Sequence, residues 1–508
     1  MAPRLLSKSK LIAWRQCPRR LWLEVHKPDL REDSAGSEAR MEAGNELGRL
    51  AQRLYDPDNK GETIDFKAIG FGPALERSKA VLSEAKPLFE AGYAANGALA
   101  FADVMLPVLK DGGATSGKPS WRMVEVKSST SVKDYHREDA SIQAYIARKA
   151  GVPLEGIAVA HINRDFVYRG GDDYAGLLAE EDLTADTKAL APEVEQWIGE
   201  AHKVASLPAE PTTIHTGGHC SAPFACGFYD HCIAGEPQPE MPVDWLPRLQ
   251  KKDVKDFIET KSITDLREVP DEYLNEIQLR VKRASVSGNT FFDAAGAARE
   301  LNGHGLPACF LDFETVQFTI PIWKDTRPYQ QLPFQFSLHK LGTDGKLTHA
   351  EFLDLSGVDP CEAFARSLIE TCDGRGPVFV YNAQFESGRI NELGERFPRL
   401  AGALSAIASR LVDVLPVARR YYYHPGQHGS WSIKAVLPSM VPELDYGALT
   451  GIKDGTMASA GFLEAIRPET TPERREEIRR QLLEYCWLDT YALVRVWAHL
   501  AGHGEIRM

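Results

Sequence analysis

The chain has 508 residues, of which 43% are hydrophobic and 26% are charged, and its formal net charge at pH 7 is -12. Because hydrophobic cores stop growing at roughly 250 to 300 residues, this length predicts more than one domain. No apolar run reaches the ~18 residues that a membrane span needs, and no secretory signal follows the basic start. We therefore expect a cytoplasmic protein with no membrane partner.

The charge is unevenly distributed along the chain. Residues 1–31 contain eight Lys or Arg and two acidic residues, whereas residues 171–200 contain nine acidic residues and one Lys. Phosphate binding needs local Lys and Arg, while carboxylates that hold divalent ions have their local charge reversed by those ions. The acidic total therefore leaves room for a nucleic-acid partner.

The predicted elements divide the chain into three parts. Residues 1–235 have mixed strand and helix patterns, and the Pro-rich segment 235–242 predicts a boundary. Helical periodicity between residues 245 and 287 predicts a small helical connector within residues 236–304. From 305 to 508 strands and helices alternate, so we predict a second α/β domain there.

A hairpin in the first part carries a candidate metal site. Residues 98–109 are predicted as a strand, 111–120 as a turn and 121–128 as the partner strand. Glu125 and Lys127 are two residues apart and share one face of their strand. Asp103, on the neighbouring strand, brings a second carboxylate. Such oxygen ligands suit Mg²⁺ or Mn²⁺, and a nearby Lys can orient or deprotonate water, which is phosphodiester hydrolysis chemistry.

A structural alternative is that Glu125 and Lys127 form a surface pair that stabilises the hairpin by about 0.2–1 kcal/mol. The helix that follows, however, carries Gln143 and Tyr145, and Glu90 lies upstream in the segment LFEAGY. These additional polar residues favour a functional site over a surface pair.

Together these residues resemble the RecB-like branch of the PD-(D/E)xK nucleases, over roughly residues 1–235. The resemblance implies a restriction-endonuclease-like fold with Asp103 and Glu125 as metal ligands. The family's early motif usually offers a His near a glycine-rich helix, and this chain has no His at that place. The implied catalytic set is Asp103, Glu125, Lys127, Gln143 and Tyr145.

Four of the eight cysteines bracket the first part. Cys220, Cys226 and Cys232 form a C-x5-C-x5-C pattern, and Cys17 lies near the start. A cytoplasmic chain of this size does not keep disulfides, so metal binding is the better explanation, although buried thiols without a ligand remain the alternative. Four thiolates suit a four-iron cluster or tetrahedral zinc, and His219 or His231 can replace one of them in a zinc site.

The same spacing resembles the iron-sulfur variety of RecB-like nucleases, which includes AddB and CRISPR-associated exonucleases. The resemblance implies a [4Fe-4S] cluster that ties the ends of the domain together, with zinc as the alternative. The other four cysteines lie in apolar or helical contexts, and we interpret them as structural: Cys309, Cys361, Cys372 and Cys486.

The last part of the chain carries a second acidic motif. In the segment ACFLDFETV, Asp312 and Glu314 lie on one face of a buried-looking strand, an arrangement that is costly without a metal. Near the end of the chain, Tyr485 and Asp489 are four residues apart on a long predicted helix and share one side of it. Between these elements, Glu386 follows a predicted strand-helix junction.

These three motifs resemble the DnaQ-like exonucleases, or DEDD enzymes, over roughly residues 305–500. The resemblance implies an RNase H-like fold in which four acids hold two metals and Tyr485 orients a water. Glu386 stands where that family has Asp, so an inert domain that lost its activity is the alternative. The segments LDFET, PYQQLPFQFSLH, YNAQFE and SIKAVLP also resemble an uncharacterised bacterial family that joins this domain to RecB-like nucleases. The implied ligands are Asp312, Glu314, Glu386 and Asp489.

The sequence thus leads us to expect a nuclease that depends on Mg²⁺ or Mn²⁺ and degrades DNA exonucleolytically at single strands or frayed ends, in repair or defence. RNA stays open as a substrate. The rival interpretation is a nucleic-acid-binding adaptor, stapled by a metal, whose RNase H-like domain is inert.

Overall fold

The computed structural model describes residues 5–33, 35–108, 119–249, 252–504 and 506. The chain forms two compact units. Unit 1 consists of Met1–Glu236 with Phe318–Gln330, and unit 2 consists of Pro237–Gln317 with Gln331–Met508. Each unit contains its own β-sheet and helices, so the predicted mixed α/β class is confirmed.

Unit 1 contains a sheet with the strand order β2-β3-β4-β5-β6-β7, and β1 pairs with β4 outside that path. Its strands are β1 (Leu6–Ser7), β2 (Glu62–Thr63), β3 (Leu88–Ala95), β4 (Ala98–Val108), β5 (Ser120–Lys127), β6 (Leu154–Ile162) and β7 (Leu178–Asp182). Its helices are α1 (Lys8–Gln16), α2 (Pro18–His26), α3 (Ala35–Tyr55), α4 (Phe66–Ile69), α5 (Phe71–Val81), α6 (Asp134–Lys149), α7 (Thr184–Ala189), α8 (Ala191–Ala205) and α9 (Tyr229–Ala234).

The predicted hairpin of unit 1 is observed as β4 and β5, which are antiparallel. The predicted turn between them falls largely on residues 109–118, which lie outside the described residues. Along β5, Val124 packs in one apolar cluster and Met123 packs in another together with buried residues of α6. Because side chains alternate along a strand, Glu125 and Lys127 share the face of Met123, beneath α6.

Unit 2 contains a five-stranded sheet with the order β11-β10-β9-β12-β13, in which β10 is antiparallel and β12 parallel to the central β9. The strands of unit 2, five of which form this sheet, are β8 (Phe291–Phe292), β9 (Ala308–Val316), β10 (Leu332–Leu341), β11 (Leu347–Leu353), β12 (Val378–Val380), β13 (Leu411–Asp413) and β14 (Tyr422–Tyr423). Its helices are α10 (Lys252–Lys261), α11 (Glu276–Ser287), α12 (Ala294–Asn302), α13 (Cys361–Thr371), α14 (Ala383–Arg396), α15 (Ala401–Ala408), α16 (Val414–Tyr421), α17 (Ile433–Met440), α18 (Gly455–Ala465) and α19 (Pro472–Ala501).

The 30-residue helix α19 packs across β9 and β10. Thr471 caps its start by accepting a hydrogen bond from the backbone N–H of Arg474, and Gly502 ends it in the left-handed conformation. Gln335 of β10 donates to the carbonyl of Leu482 at 2.8 Å, and Ser337 of β10 lies 2.6 Å from the hydroxyl of Thr490. These buried hydrogen bonds fix the side of α19 that faces the sheet.

The predicted helical connector is not a separate element. Leu266, Val281 and Leu301 lie in the same apolar cluster as Phe310 of the central strand and Trp497 of α19. The apolar faces of these helices share one core with the sheet and α19, so the segment predicted as a connector at 236–304 lies within unit 2 from Pro237 onward. Helical periodicity located the helices but not their packing partner.

The segment Phe318–Gln330, which lies within the predicted second domain at 305–508, belongs to unit 1. The backbone of Tyr168 accepts from Asp325 N–H at 2.7 Å and donates to Thr326 at 3.0 Å. Tyr329 donates its hydroxyl proton to the carbonyl of Ser128, one residue after β5. The strand-to-strand connection of unit 2 thus includes a segment that is hydrogen-bonded within unit 1.

Within the described ranges, no helix is both long and apolar enough to cross a lipid bilayer. The longest, α19, carries charged residues along most of its length.

The shared core predicts that a cavity in the segment 237–304 weakens the sheet of unit 2. We expect Leu266→Ala, which truncates a fully buried side chain, to lower the free energy of unfolding of unit 2 by about 2–5 kcal/mol. Hydrogen exchange of the β10 amides measures this effect, because protection follows the stability of the unit. Val286→Ala, at a position 51% exposed on α11, is the control and should change it by less than about 0.5 kcal/mol. Lost protection confined to residues 237–304 would contradict the shared core.

Candidate functional site

Three carboxylates of unit 1 lie in one row across adjacent strands. Glu90 and Asp103 are opposite each other between the pairs Phe89–Val104 and Ala91–Ala102 of β3 and β4. Glu125 lies one residue beyond the last β4–β5 pair, beside Asp103. Neighbouring strands are about 4.8 Å apart, so this row concentrates negative charge. Glu90 has a φ of 55°, and such left-handed backbone is costly for a non-glycine residue and recurs at functional sites.

Two lysines neutralise this acidic row. The Nζ atoms of Lys8 and Lys127 each lie 2.7 Å from the same oxygen of Glu125. Both ammonium groups also contact Asp139 on α6, Lys8 at 3.4 Å. Lys8 is the first residue of α1, and Ser7 caps that helix, which sets the position of the lysine. The E-x-K motif is therefore part of a buried network with two lysines and two acids.

Helix α6 brings some of the predicted residues to this network and not others. Gln143 donates a hydrogen bond from Nε2 to Glu125, and Asp139, one turn earlier, contacts Lys127. Tyr145 lies on a different side of α6, where its hydroxyl accepts a hydrogen bond from Asn96 at 2.8 Å. Tyr145 is therefore not part of this network, because a step of two residues turns a helix by about 200°.

The charges in this network set the protonation of its acids. Burial and the charge of Glu125 raise the pKa of Asp103 to about 8. Burial also raises the pKa of Glu125, but the charges of Lys127 and Lys8 outweigh that effect and hold it below its usual range. Glu125 is therefore ionised at neutral pH and Asp103 holds a proton much of the time. Asp103 Oδ2 accepts a 2.7 Å hydrogen bond from the backbone of Val126, which fixes its orientation.

The carboxylate oxygens of Glu90, Asp103 and Glu125 do not converge on one point in this arrangement. Among the described residues, no three acids of this row lie within 4.8 Å of one another. A divalent ion bound to Asp103 and Glu125 would therefore have to displace an ammonium group from Glu125.

The four predicted cysteine ligands line one cavity in unit 1. Cys17 lies between α1 and α2, and Cys232 lies in α9. The backbone N–H of Cys226 donates to the carbonyl of Cys220 at 2.8 Å, so a tight loop holds these two together. The cavity also includes His219, whereas His231 lies 3.2 Å from Glu210 and does not line it.

The cysteine sulfurs are close but not in contact. Burial raises the pKa values of Cys17 and Cys226 and raises that of Cys232 to about 11, and the neighbouring thiols add to each shift. A tetrahedral zinc site with Zn–S bonds of about 2.3 Å would place its sulfurs about 3.8 Å apart. Of the described side chains, no three of these cysteine sulfurs lie within 4.8 Å of one another. The spacing is wider than a closed zinc site requires.

Unit 2 gathers three acids much more closely. Asp312 and Glu314 on β9 and Asp489 on α19 each place an oxygen within 4.8 Å of the other two. In the part of the chain that the structure describes, this is the one group of three or more potential metal ligands at that spacing. The acids line a cavity of about 190 Å³ together with Lys434 and Tyr485. Three of the four acids that the resemblance implies as ligands therefore lie at one cavity with Tyr485.

The acids of this cluster oppose one another's ionisation. Burial and the charge of Asp489 raise the pKa of Asp312 to about 8, and burial raises the pKa of Glu314 well above its usual range. Burial also raises the pKa of Asp489, although Tyr446 donates a hydrogen bond to its carboxylate. Lys434 lowers all three pKa values. The raised pKa values favour the protonated forms of these carboxyl groups. A bound cation would replace the protons and stabilise the ionised carboxylates, so the site fits a cation.

Glu386 lies beside the cluster without being one of its three members. It is 2% exposed, its Oε2 atom has no hydrogen-bond partner, and burial with the nearby Asp312 raises its pKa to about 9. Asp413 positions it by accepting hydrogen bonds from the N–H groups of Asn382 and Ala383, both at 3.0 Å, at the start of α14. An unpartnered buried carboxylate oxygen next to three acids fits a ligand that acts through water.

Four polar residues of these sites escaped sequence reasoning: Lys8, Asp139, Lys434 and Tyr446. Asp139 carried a signal, because it precedes Gln143 by one helical turn and shares its face. Lys434 lies in the noted segment SIKAVLP, but no spacing rule connects it to Tyr485, whose hydroxyl is 3.5 Å from its Nζ. Lys8 is 117 residues from Glu125, so only the folded chain joins them.

The sequence profile of a domain of unknown function, DUF2779, matches residues 309–432. That range includes Asp312, Glu314 and Glu386 but ends before Tyr485 and Asp489. No curated protein matches this chain.

The acidic cluster predicts a cation-dependent gain in stability. In buffer freed of divalent ions, added Mn²⁺ should stabilise unit 2, by about 2.7 kcal/mol at a hundredfold excess over its Kd, because the ion binds the folded state. Differential scanning calorimetry measures the gain. Asp312→Asn should remove most of it, and Glu370→Gln, which changes an exposed acid on α13, should keep it. An equal gain in all three proteins would place the Mn²⁺ elsewhere.

Proposed function

We propose that this chain is a divalent-metal-dependent nuclease and that unit 2 is an RNase H-like exonuclease of the DEDD type. The observation that carries the proposal is the meeting of Asp312, Glu314 and Asp489 at one cavity with Tyr485 at its wall. These residues come from β9, the first strand in chain order of the five-stranded sheet, and from the last helix, α19, as the resemblance to DnaQ-like enzymes implies. DNA single strands or frayed ends are the proposed substrate, with RNA as the alternative.

In this proposal Asp312, Glu314 and Asp489 hold Mg²⁺ or Mn²⁺, and Glu386 acts through water. The bound ion supplies an activated water and neutralises the charge that develops on the leaving oxygen. Burial and the nearby acids raise the pKa of Tyr485, so its phenol keeps its proton and orients water as a donor instead of acting as a base. Lys434 places a positive charge beside Tyr485, where it would attract a phosphate.

Unit 1 is proposed as a second nuclease centre of the PD-(D/E)xK type. Asp103 and Glu125 would hold a metal, with Lys127 and Gln143 ordered on Glu125. The support is the row of acids under α6 and the strained backbone at Glu90. Asp139 contacts both lysines of this network, whereas Tyr145 lies on another side of α6.

The rival function is a nucleic-acid-binding adaptor. It is favoured by the engagement of Glu125 with two lysines and by the position of Glu386 outside the three-acid group. The two functions differ in whether phosphodiester bonds are cut, which a direct assay decides.

We also propose that Cys17, Cys220, Cys226 and Cys232 hold a [4Fe-4S] cluster, with zinc as the alternative. The support is the shared cavity together with sulfurs that are more widely spaced than a closed zinc site requires. Arg20, whose charge lowers the pKa of Cys226, lies beside the site and favours thiolates. The bound cluster would link α2 to α9 and so connect an early and a late helix of unit 1.

For the cysteine site, we expect protein purified without oxygen to be brown and to contain about four iron and four sulfide per chain. Iron, sulfide and zinc analysis with an absorption spectrum measures this. Cys226→Ser should lower the iron content and the yield of soluble protein, because a structural metal contributes to folding free energy. Cys361→Ser, a buried thiol of unit 2, is the matched control. Colourless protein with one zinc per chain would replace the cluster by zinc.

For the nuclease, we expect Asp312→Ala to reduce degradation of end-labelled single-stranded DNA by at least about a hundredfold in a Lys127→Ala background. In the reciprocal experiment, Lys127→Ala should remove the activity that remains in Asp312→Ala. Tyr485→Phe should cost less than either change, because the hydroxyl that it removes only orients water. Glu370→Gln should retain activity.

Gel assays with Mg²⁺ or Mn²⁺ on labelled DNA and RNA give these rates. Undiminished cleavage in the double variant would place the chemistry elsewhere. Nucleic-acid binding without cleavage by the wild-type protein would favour the adaptor.

A further inference from the structure

Two buried cysteines of unit 2 meet although they are far apart in sequence. Cys309 lies near the start of β9, where its N–H donates to the carbonyl of Pro377 at 2.9 Å. Cys372 is the first residue after α13. The thiol of Cys309 donates a hydrogen bond to Cys372, and the two residues are only 8% and 2% exposed. The sheet and the end of α13 therefore hold two thiols side by side.

Two cations face this thiol pair. Arg410 Nη2 lies 3.3 Å from the sulfur of Cys372 and 2.7 Å from its carbonyl oxygen, and Arg410 Nη1 donates to the carbonyl of Gly376 at 3.0 Å. Lys340 is the β10 partner of Cys309 and acts on both thiols. Because positive charge next to sulfur stabilises a thiolate and repels a metal ion, this arrangement suits redox chemistry better than metal binding.

The pKa values of the two thiols are shifted in opposite directions, and the pKa of Cys372 also differs in direction from those of the remaining cysteines of unit 2. The hydrogen bond from Cys309 lowers the pKa of Cys372 to about 7 against the effect of burial, and Arg410 contributes to the lowering. The same hydrogen bond and burial raise the pKa of Cys309. Burial raises the pKa of Cys361 and of Cys486 well above the usual range. Cys372, which contacts Arg410, is therefore the more acidic thiol of the pair.

We propose that Cys309 and Cys372 form a redox-reactive dithiol that hydrogen peroxide converts to a disulfide. The Cys372 thiolate attacks one peroxide oxygen, the O–O bond breaks, and the departing hydroxide takes a proton to become water. Cys372 is then a sulfenic acid. The sulfur of Cys309 attacks the sulfur of Cys372, the S–O bond breaks, and the hydroxyl leaves with the thiol proton as a second water. Two thiols are oxidised by two electrons and one peroxide is reduced to two waters.

The disulfide would join the end of α13 to β9, three residues before Asp312. The modification therefore reaches the strand that carries two of the three clustered acids. The site differs from the structural role that the sequence predicted for both cysteines, and it does not depend on the proposed nuclease activity.

The test treats the full chain with an equimolar amount of hydrogen peroxide, alkylates free thiols and digests the product with trypsin without reductant. The sequence places Cys309 in peptide 300–324, Cys372 in 367–375, Cys361 in 347–366 and Cys486 in 481–495. Mass spectrometry should find the first two peptides linked. The linkage should form at least about tenfold faster than Cys361 or Cys486 oxidises, because their thiolate fractions are far smaller.

Variants separate the two steps. Cys309→Ser should leave Cys372 as a sulfenic acid that dimedone traps, and Arg410→Gln should slow its formation severalfold. Arg366→Gln, which changes an exposed arginine of α13 paired with Glu362, is the matched control and should react like wild type. Free, alkylatable Cys309 and Cys372 after treatment of the wild-type protein would overturn the proposal. Oxidation of Cys361 or Cys486 at the same rate would also overturn it.

Discussion

Burial of carboxylates is the constraint on which both units depend. An ionised carboxylate loses its hydration when a sheet and a helix enclose it, so it must gain a cation or keep its proton. Unit 1 uses the first solution, because Lys8 and Lys127 hold Glu125 ionised. Unit 2 mainly uses the second, because burial and the charge of Asp489 raise the pKa values of Asp312 and Glu314, and Lys434 offsets only part of that increase.

The two solutions have different chemical consequences. A divalent ion that enters the unit 2 cluster would displace protons from its acids. The pKa of Asp312 is about 8, so the loss of its proton costs little near neutral pH. An ion that enters the row of unit 1 must instead compete with ammonium groups on Glu125. The acids of unit 2 are therefore the better prepared for a metal, and the lysines of unit 1 make its network stable without one.

The fold also brings distant cysteines together. In unit 1, Cys17 and the three cysteines of the C-x5-C-x5-C loop line one cavity, although about two hundred residues separate Cys17 from the loop. In unit 2, Cys309 precedes Asp312 on β9, and Arg410 holds Cys372 beside it. Thiols next to cations become reactive, whereas buried thiols without them stay protonated. Burial raises the pKa of Cys361 even though Arg396 lies beside it, whereas the pKa of Cys372, beside Arg410, is lowered by the hydrogen bond from Cys309 and by Arg410.

Relations within one element could be predicted from the sequence. Alternation placed Glu125 with Lys127 and Asp312 with Glu314 on single strand faces, and helical spacing placed Tyr485 with Asp489, because strand and helix geometry is local. Relations between elements needed the tertiary structure. Examples are the contact of Lys8 with Glu125, the presence of Asp139 rather than Tyr145 in the network of unit 1, and the packing of the helices of 237–304 in the core of unit 2. Residues 318–330 lie within the second predicted domain, but hydrogen bonds to residues 128–174 join them to unit 1. Packing decides such contacts, since the same apolar face fits more than one neighbour until the whole chain has folded.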